Sequence, residues 1–180
     1  MIDLHSHSDA SDGDLTPTEL INLAGETGIT AIALTDHDTT AGLNEGARRA
    51  AELGIRFING VETEVNFRPG EFHLLGLNLR TWENGPLADF LEEIRRRRVD
   101  RNREMISLMN AVGLEVSMEI LDDIAGGDVI GRLHVARWLI DNDHAKDVPD
   151  VFERFIGPGC PYYVPKNRPS LEEAMEAIHA

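Results

Sequence analysis

The spacing of hydrophobic residues in the first part of the chain predicts strands that alternate with helices. A continuous apolar run at residues 30–35 is typical of a strand that is buried on both faces of a sheet. Residues 2–7 and 55–64 predict two further strands, and the first of them changes from apolar to polar where a buried strand would reach a site. The order strand, helix, strand, helix, strand predicts parallel βα units. A fourth strand at residues 71–79 follows a predicted turn at 68–70.

Two of the predicted helices have recognisable first turns. Thr16 is the predicted N-cap of the first helix, and Glu19, three residues later, completes a capping box. A second helix is predicted at about residues 41–53. Ser170 and Glu173 form another capping box, which predicts a last helix near the end of the sequence.

From about residue 86 the apolar spacing predicts helices only. One or two long amphipathic helices are expected to end near Gly113, and shorter helices are predicted at residues 117–125, 132–141 and 148–155. The arginine run at 95–98 predicts a solvated helix face, because acidic residues lie about one turn upstream. A patch that contacts nucleotides is the alternative.

The composition predicts a folded domain with an acidic surface. The chain has 180 residues, 42% of them hydrophobic, and a net charge of −15 from 32 acidic and 17 basic residues. This charge disfavours binding to long nucleic acid, whereas a small phosphorylated substrate stays compatible if bound cations reverse the charge locally. The single cysteine excludes an internal disulfide and a zinc site made of cysteines.

No apolar run is long enough to predict a membrane span. The first residues also lack the basic start and the apolar stretch of a secretory signal. We therefore expect a cytoplasmic protein without a membrane partner.

Histidine and acidic residues occur where the predicted strands end. Side chains two apart on a strand share a face, so His5 and His7 can reach one point beyond the first strand. The other candidate ligands are Asp12, His37, Glu62 and His73. Imidazole and carboxylate ligands without sulfur suit manganese, iron or zinc. For the first strand alone, the alternative is an exposed histidine pair followed by a polar turn.

Six candidate ligands are more than one ion uses, so the pattern predicts more than one divalent metal ion. Such a cluster can generate hydroxide at neutral pH, bind substrate oxygens and neutralise charge in a phosphoryl transition state. The residues therefore predict a multimetal hydrolase, and their spacing leaves the substrate open.

The candidate ligands lie in five short motifs: His5-Ser6-His7, Ser11-Asp12-Gly13, Thr35-Asp36-His37-Asp38, Gly60-Val61-Glu62 and His73-Leu74-Leu75-Gly76. In this order they resemble the motifs of the PHP (polymerase and histidinol phosphatase) superfamily. The segments that begin at Gly131 and at Tyr163 are similar to segments of the stand-alone phosphoesterases in the branch that acts on nucleoside phosphates.

The resemblance implies an α/β fold, the N-terminal part of a distorted (β/α)7 barrel with a mainly helical insertion. Residues 1–85 would form the first part of the barrel, 86–165 the insertion, and 166–180 the return to the barrel. It also implies two or three divalent ions (manganese, iron or zinc). Their implied ligands are His5 and His7 for one ion, Asp12 and His37 for a second, His73 for a third, and Glu62 as a bridge.

Five further residues are candidates around the metals. Asp36 and Asp38 are predicted to orient the imidazoles. Arg132, His134 and Lys166 are predicted to bind a substrate phosphate, because basic side chains, and guanidinium above all, match phosphate oxygens. The alternative is that Arg132 caps a helix and His134 packs in a core.

The predicted function is that of a metal-dependent phosphoesterase, which hydrolyses a small phosphomonoester with a metal-activated hydroxide. The resemblance favours a nucleoside monophosphate or 3′,5′-bisphosphate as substrate. The alternatives are histidinol phosphatase and a non-catalytic half-barrel that binds metals or a partner. The superfamily has His-Pro and Asp-x-His motifs beyond a helix like residues 170–179, so we expect a fragment of a longer enzyme or, alternatively, a truncated paralogue. The sequence leaves the oligomeric state open.

Overall fold

A computed structural model describes residues 1–67, 71–126 and 130–180 of the chain. These residues form two compact units. The first unit consists of Met1–Arg95 and Arg168–Ala180, and the second unit consists of Arg96–Asn167. The turn predicted at residues 68–70 lies outside the described residues.

The first unit contains a sheet in which neighbouring strands are also neighbours in sequence. Its order is β1 (Ile2–Ser6), β2 (Ala31–Leu34), β3 (Arg56–Asn66) and β4 (Glu71–Leu77). The first three strands are parallel, which confirms the predicted βα units. β3 and β4 pair antiparallel. This mixed architecture confirms the predicted α/β fold class.

Helices follow the strands and then replace them along the chain. They are α1 (Pro17–Glu26), α2 (Leu43–Leu53), α3 (Pro86–Asn110), α4 (Met118–Ala125), α5 (Arg132–Asp141), α6 (Val148–Val151) and α7 (Leu171–His179). A π-helical segment, Phe152–Ile156, continues directly from α6. The capping boxes predicted for α1 and α7 are both present.

The core of the first unit lies between the sheet and its helices. All four residues of β2 are buried, as the continuous apolar run predicted. One buried cluster joins α1, β2 and α2 through Ile21, Ile32 and Ala50. A second cluster includes Leu34 of β2 and extends to α3 and α7. β2 and β3, the two inner strands of the sheet, are therefore fixed by packing.

The expectation of a buried first strand is wrong. Ile2 is 65% exposed and Leu4 is 42% exposed. The reason is that β1 is the edge strand of the sheet in the described part of the chain, where it pairs with β2 alone.

Two candidate ligands do not lie at strand ends as expected. Glu62 lies inside β3, because β3 continues to Asn66, where it pairs with β4. His73 lies near the beginning of β4, directly opposite Glu64. Because β4 runs antiparallel to β3, its first residues lie beside the C-terminal half of β3. The hairpin therefore keeps His73 close to the ends of the parallel strands.

The second unit is helical in its described residues. Its buried core is formed by side chains from α3, α4, α5 and the segment after α6, including Met105, Leu121, Leu139 and Ile156. Among the described residues of both units, no helix is long and apolar enough to cross a membrane.

The capping box of α1 gives a stability prediction. Thr16 Oγ1 accepts a hydrogen bond from Glu19 N at 3.2 Å, and the Glu19 carboxylate accepts one from Thr16 N at 2.9 Å. We expect Thr16→Ala to lower the free energy of unfolding by about 1 kcal/mol in urea denaturation. The control is Thr81→Ala, at an exposed loop position, which should stay within about 0.5 kcal/mol of the parent chain. Equal losses in both variants would contradict the capping role.

Candidate metal centre

The six predicted metal ligands come together in the first unit, close to the ends of the parallel strands of its sheet. His5 lies in β1, His7 follows it, and His37 follows β2. Glu62 and His73 project from the paired strands β3 and β4. An isolated parallel bridge between His37 and Glu62 extends the pairing of the sheet up to this point.

The Glu62 carboxylate lies at the middle of the cluster and is 4% exposed. Its Oε2 lies 2.8 Å from His5 Nε2, 3.0 Å from His7 Nε2 and 3.6 Å from His37 Nε2. Its Oε1 lies 2.7 Å from His73 Nδ1. One carboxylate therefore contacts or approaches four imidazoles from three segments of the chain.

Asp12 approaches the same imidazoles from the loop after β1. Its two oxygens lie 3.1 Å from His7 Nδ1 and 3.6 Å from His37 Nε2. Its side chain is 64% exposed, in contrast to Glu62. The cluster thus combines a buried carboxylate, Glu62, with an exposed one, Asp12.

The donor atoms fit divalent metal ions. They form three groups in which all donor atoms lie within 4.8 Å of one another: His5, His7 and Glu62; His7, Asp12 and His37; His37, Glu62 and His73. Two ligands bound to one ion at about 2.1 Å and a tetrahedral angle are about 3.4 Å apart. The contacts between carboxylate oxygens and imidazole nitrogens in the cluster, at 2.7–3.6 Å, lie near this value. Each group mixes imidazole and carboxylate donors, which suits zinc, manganese or iron.

The electrostatic surroundings favour an ionised Glu62. Burial raises the pKa of Glu62, but hydrogen bonds from His5 and His73 and the positive charge of His37 outweigh burial. The pKa of Glu62 therefore lies below its usual value. An ionised carboxylate is the form that binds a cation.

Asp36 holds the loop after β1 and does not contact a ligand imidazole directly. Its carboxylate accepts hydrogen bonds from Ser8 N at 2.7 Å, Ser8 Oγ at 2.8 Å and Ser11 Oγ at 2.7 Å. Ser11 Oγ in turn lies 3.5 Å from His7 Nδ1. The two serines were missed in the sequence, because a serine in a polar loop gives no signal of its partner.

Asp38 is held against β3. Its backbone N–H donates to the Glu62 carbonyl at 2.8 Å, and its carboxylate accepts from Thr63 Oγ1 at 2.8 Å. Asp38 also has a φ of 53°, so the backbone turns sharply directly after His37. These contacts fix the segment that carries His37.

A family model described as the PHP domain matches residues 3–157. The chain belongs to the PHP domain family. The motif resemblance in the sequence is therefore confirmed, and the match includes all six candidate ligands of the cluster.

Of two curated relatives of this PHP chain, one is named a phosphatase and the other a nuclease. A 3′,5′-nucleoside bisphosphate phosphatase from Chromobacterium violaceum is 42% identical over 97% of this chain and 61% of its own length. A 5′-3′ exoribonuclease from Haemophilus influenzae is 34% identical over 99% of this chain and 64% of its own length. The chain thus spans less than two thirds of the length of these relatives.

A solved structure shares the fold of the PHP chain. The protein comes from Bifidobacterium adolescentis, and its name gives an inferred activity, that of a metal-dependent phosphoesterase. The two structures have a TM-score of 0.76 at 25% sequence identity, over 99% of this chain and 63% of the other.

The predicted phosphate-binding residues of the PHP chain lie in the second unit. The Arg132 guanidinium lies over the ring of Phe152, 5.2 Å from its centroid. His134 Nδ1 accepts a hydrogen bond from Gly131 N at 3.0 Å, at the beginning of α5. Lys166 is exposed. Their binding to phosphate stays a prediction.

Gly13 allows the loop that carries Asp12 to approach β1, and this contact gives a prediction about the metal centre. A Cβ at position 13 would lie 2.4 Å from the His7 carbonyl oxygen. We expect Gly13→Ala to displace the loop and to weaken zinc or manganese binding by about tenfold or more, measured by calorimetry.

The matched control is Gly25→Ala in α1. There the added Cβ would meet its nearest neighbour at 3.4 Å, an ordinary contact, and metal binding should stay unchanged. Unaltered metal binding by Gly13→Ala would show that metal binding does not need Asp12 in this position.

Proposed function

We propose that the chain binds two or three divalent metal ions and hydrolyses a small phosphomonoester. The observation that carries this proposal is the convergence of four histidines and two carboxylates in a chain of the PHP family. The proposed ligands are His5, His7, Asp12, His37, Glu62 and His73. Divalent ions in such a cluster supply Lewis-acid stabilisation of the substrate and activation of water.

The residues of the chain hold and orient the groups of this centre. Glu62 is buried among the histidines, so it fixes their positions relative to one another. Asp12 is exposed, so its carboxylate can be reached from solvent by an ion or a substrate. Asp36 keeps the Asp12 loop in place through Ser8 and Ser11. The site is therefore organised before the substrate binds.

We propose a nucleotide, a nucleoside monophosphate or 3′,5′-bisphosphate, as the substrate. The name of the Chromobacterium violaceum relative supports this choice. The Haemophilus influenzae relative is named an exoribonuclease, which makes short RNA the second candidate. The net charge of −15 favours the small substrate, because a long polyanion meets repulsion over a larger surface.

Metal content and phosphate release, measured together, test the proposal. Bound metal is determined by elemental analysis, and phosphate release is followed with adenosine 3′,5′-bisphosphate, a short oligoribonucleotide and histidinol phosphate. We expect two or three ions per chain and the fastest release from the bisphosphate. Bound metal without hydrolysis of any of the three would favour a non-catalytic metal-binding domain.

Replacement of the proposed ligand His7 should lower phosphate release and leave the chain folded. We expect His7→Ala to lower phosphate release by on the order of 100-fold or more, because His7 belongs to two of the three donor groups. The control is His179→Ala at the exposed end of α7, which should keep the parent rate. Circular dichroism checks that both variants are folded, and a near-parent rate in His7→Ala would contradict the assignment.

Arg132 gives a separate test of phosphate binding. Loss of a charged hydrogen bond costs about 1.5–3 kcal/mol, so Arg132→Ala should raise KM about tenfold or more with a smaller effect on kcat. Arg137→Ala is the matched control, since Arg137 lies on the same helix and is paired with Asp141. Equal KM values in the two variants would assign Arg132 a structural role over Phe152.

A further inference from the structure

The first unit contains a cavity of about 390 Å³, and none of the six proposed metal ligands lines it. One wall is the loop that begins at Asp38, and another is the face of α3 that carries Ala88 and Arg95. Trp82 and Glu83 lie between these walls along the chain and also line the cavity. The volume lies within the range of sites that hold small molecules.

Asp38 connects this cavity to the metal centre. It follows the proposed ligand His37 and bonds through its backbone N–H to the carbonyl of Glu62. Its carboxylate accepts from Thr63, the residue after Glu62. The cavity wall and the central residue of the cluster are therefore held together through direct hydrogen bonds of Asp38.

The charges around the cavity disfavour a phosphate group. Asp38, Glu83 and Glu92 contribute three carboxylates, against the single guanidinium of Arg95. Glu92 holds that guanidinium with two hydrogen bonds of 2.7 Å. Ionised carboxylates only accept hydrogen bonds, so the lining suits a neutral molecule rich in amino or hydroxyl donors.

Trp82 adds a flat aromatic surface to this lining. It packs against the buried cluster of the first unit, which fixes its position. Its Nε1 is shielded from solvent and has no hydrogen-bond acceptor among the described residues. Because this N–H is closed off from solvent, the ring offers a ligand its stacking surface, which suits any planar base.

We propose that this cavity binds the nucleoside part of the substrate, its base and sugar, while the phosphate to be cleaved lies at the metal centre. A nucleoside is neutral and planar at its base, and it carries the hydroxyl and amino donors that the lining accepts. This inference rests on the proposed function and adds the place and the chemistry of substrate recognition. It assigns to Trp82 and the Asp38 loop a role in specificity.

A binding experiment without phosphate tests the inference. NMR titration of the whole chain with adenosine and with uridine detects binding down to millimolar affinity. We expect at least one nucleoside to bind, and we expect Ala88→Leu to weaken it about tenfold or more because the added side chain fills the cavity. The control is Ala47→Leu on α2. Position 47 is also half-buried on a helix but does not line the cavity, so this variant should bind nucleosides like the parent chain.

The outcomes separate this inference from the proposed function. Absence of binding by both nucleosides, or equal binding by Ala88→Leu and Ala47→Leu, would overturn the cavity as a nucleoside site even if phosphate release is intact. Nucleoside binding that Ala88→Leu weakens and Ala47→Leu does not would support the cavity as a nucleoside site. If the parent chain then released no phosphate, that result would contradict the proposed phosphoesterase activity and leave the nucleoside site standing. Trp82→Phe should keep most of the binding and Trp82→Ala should lose it, since both remove the indole N–H and only the second removes the stacking surface.

Discussion

The buried carboxylate of Glu62 is the constraint on which the proposed metal centre depends. An ionised carboxylate at 4% exposure is unfavourable unless it is hydrogen-bonded or paired with positive charge. His5, His7 and His73 meet this requirement in the described chain, at 2.7–3.0 Å. These histidines come from β1, from the loop after it and from β4, so one acidic side chain ties both outer strands of the sheet to β3. A divalent ion would satisfy the same carboxylate, which makes metal binding and local stability parts of one interaction.

Residues that are not proposed as metal ligands determine where Asp12, the exposed proposed ligand, lies. Asp36 accepts three hydrogen bonds from Ser8 and Ser11 and so fastens the loop to the end of β2. Gly13 lets the same loop return to within contact of the His7 backbone. Asp12, which is largely exposed and has little packing of its own, is positioned by these two constraints. A centre with a buried ligand on a strand and an exposed ligand on a loop therefore depends on the loop for its geometry.

The sequence predicts those features that a local pattern encodes. The buried run of β2 predicts both an inner strand and the position of His37 shortly after it, and the capping boxes of α1 and α7 predict where those helices begin. Long-range pairs have no such signal. Glu64 on β3 pairs with Arg168, 104 residues away, and no spacing or residue type indicates that partner. The proposed nucleoside cavity is a similar case, because its walls come from separate segments. The exposure of β1 differs from the prediction for a related reason, since burial depends on which strands lie beside it.

The acidic charge of the chain constrains how it can bind a phosphorylated molecule. With a net charge of −15, the surface as a whole repels an anion, so attraction has to be local. At the metal centre, bound cations would reverse the sign of the potential around Glu62 and Asp12. At the cavity beside it, the carboxylates of Asp38, Glu83 and Glu92 keep the potential negative. Two adjacent regions of opposite sign would orient a nucleotide, because its phosphate is attracted to the cations and repelled by the carboxylates, whereas its neutral nucleoside is not repelled by the carboxylates. Orientation then follows from the arrangement of charge before any contact with a particular base is made.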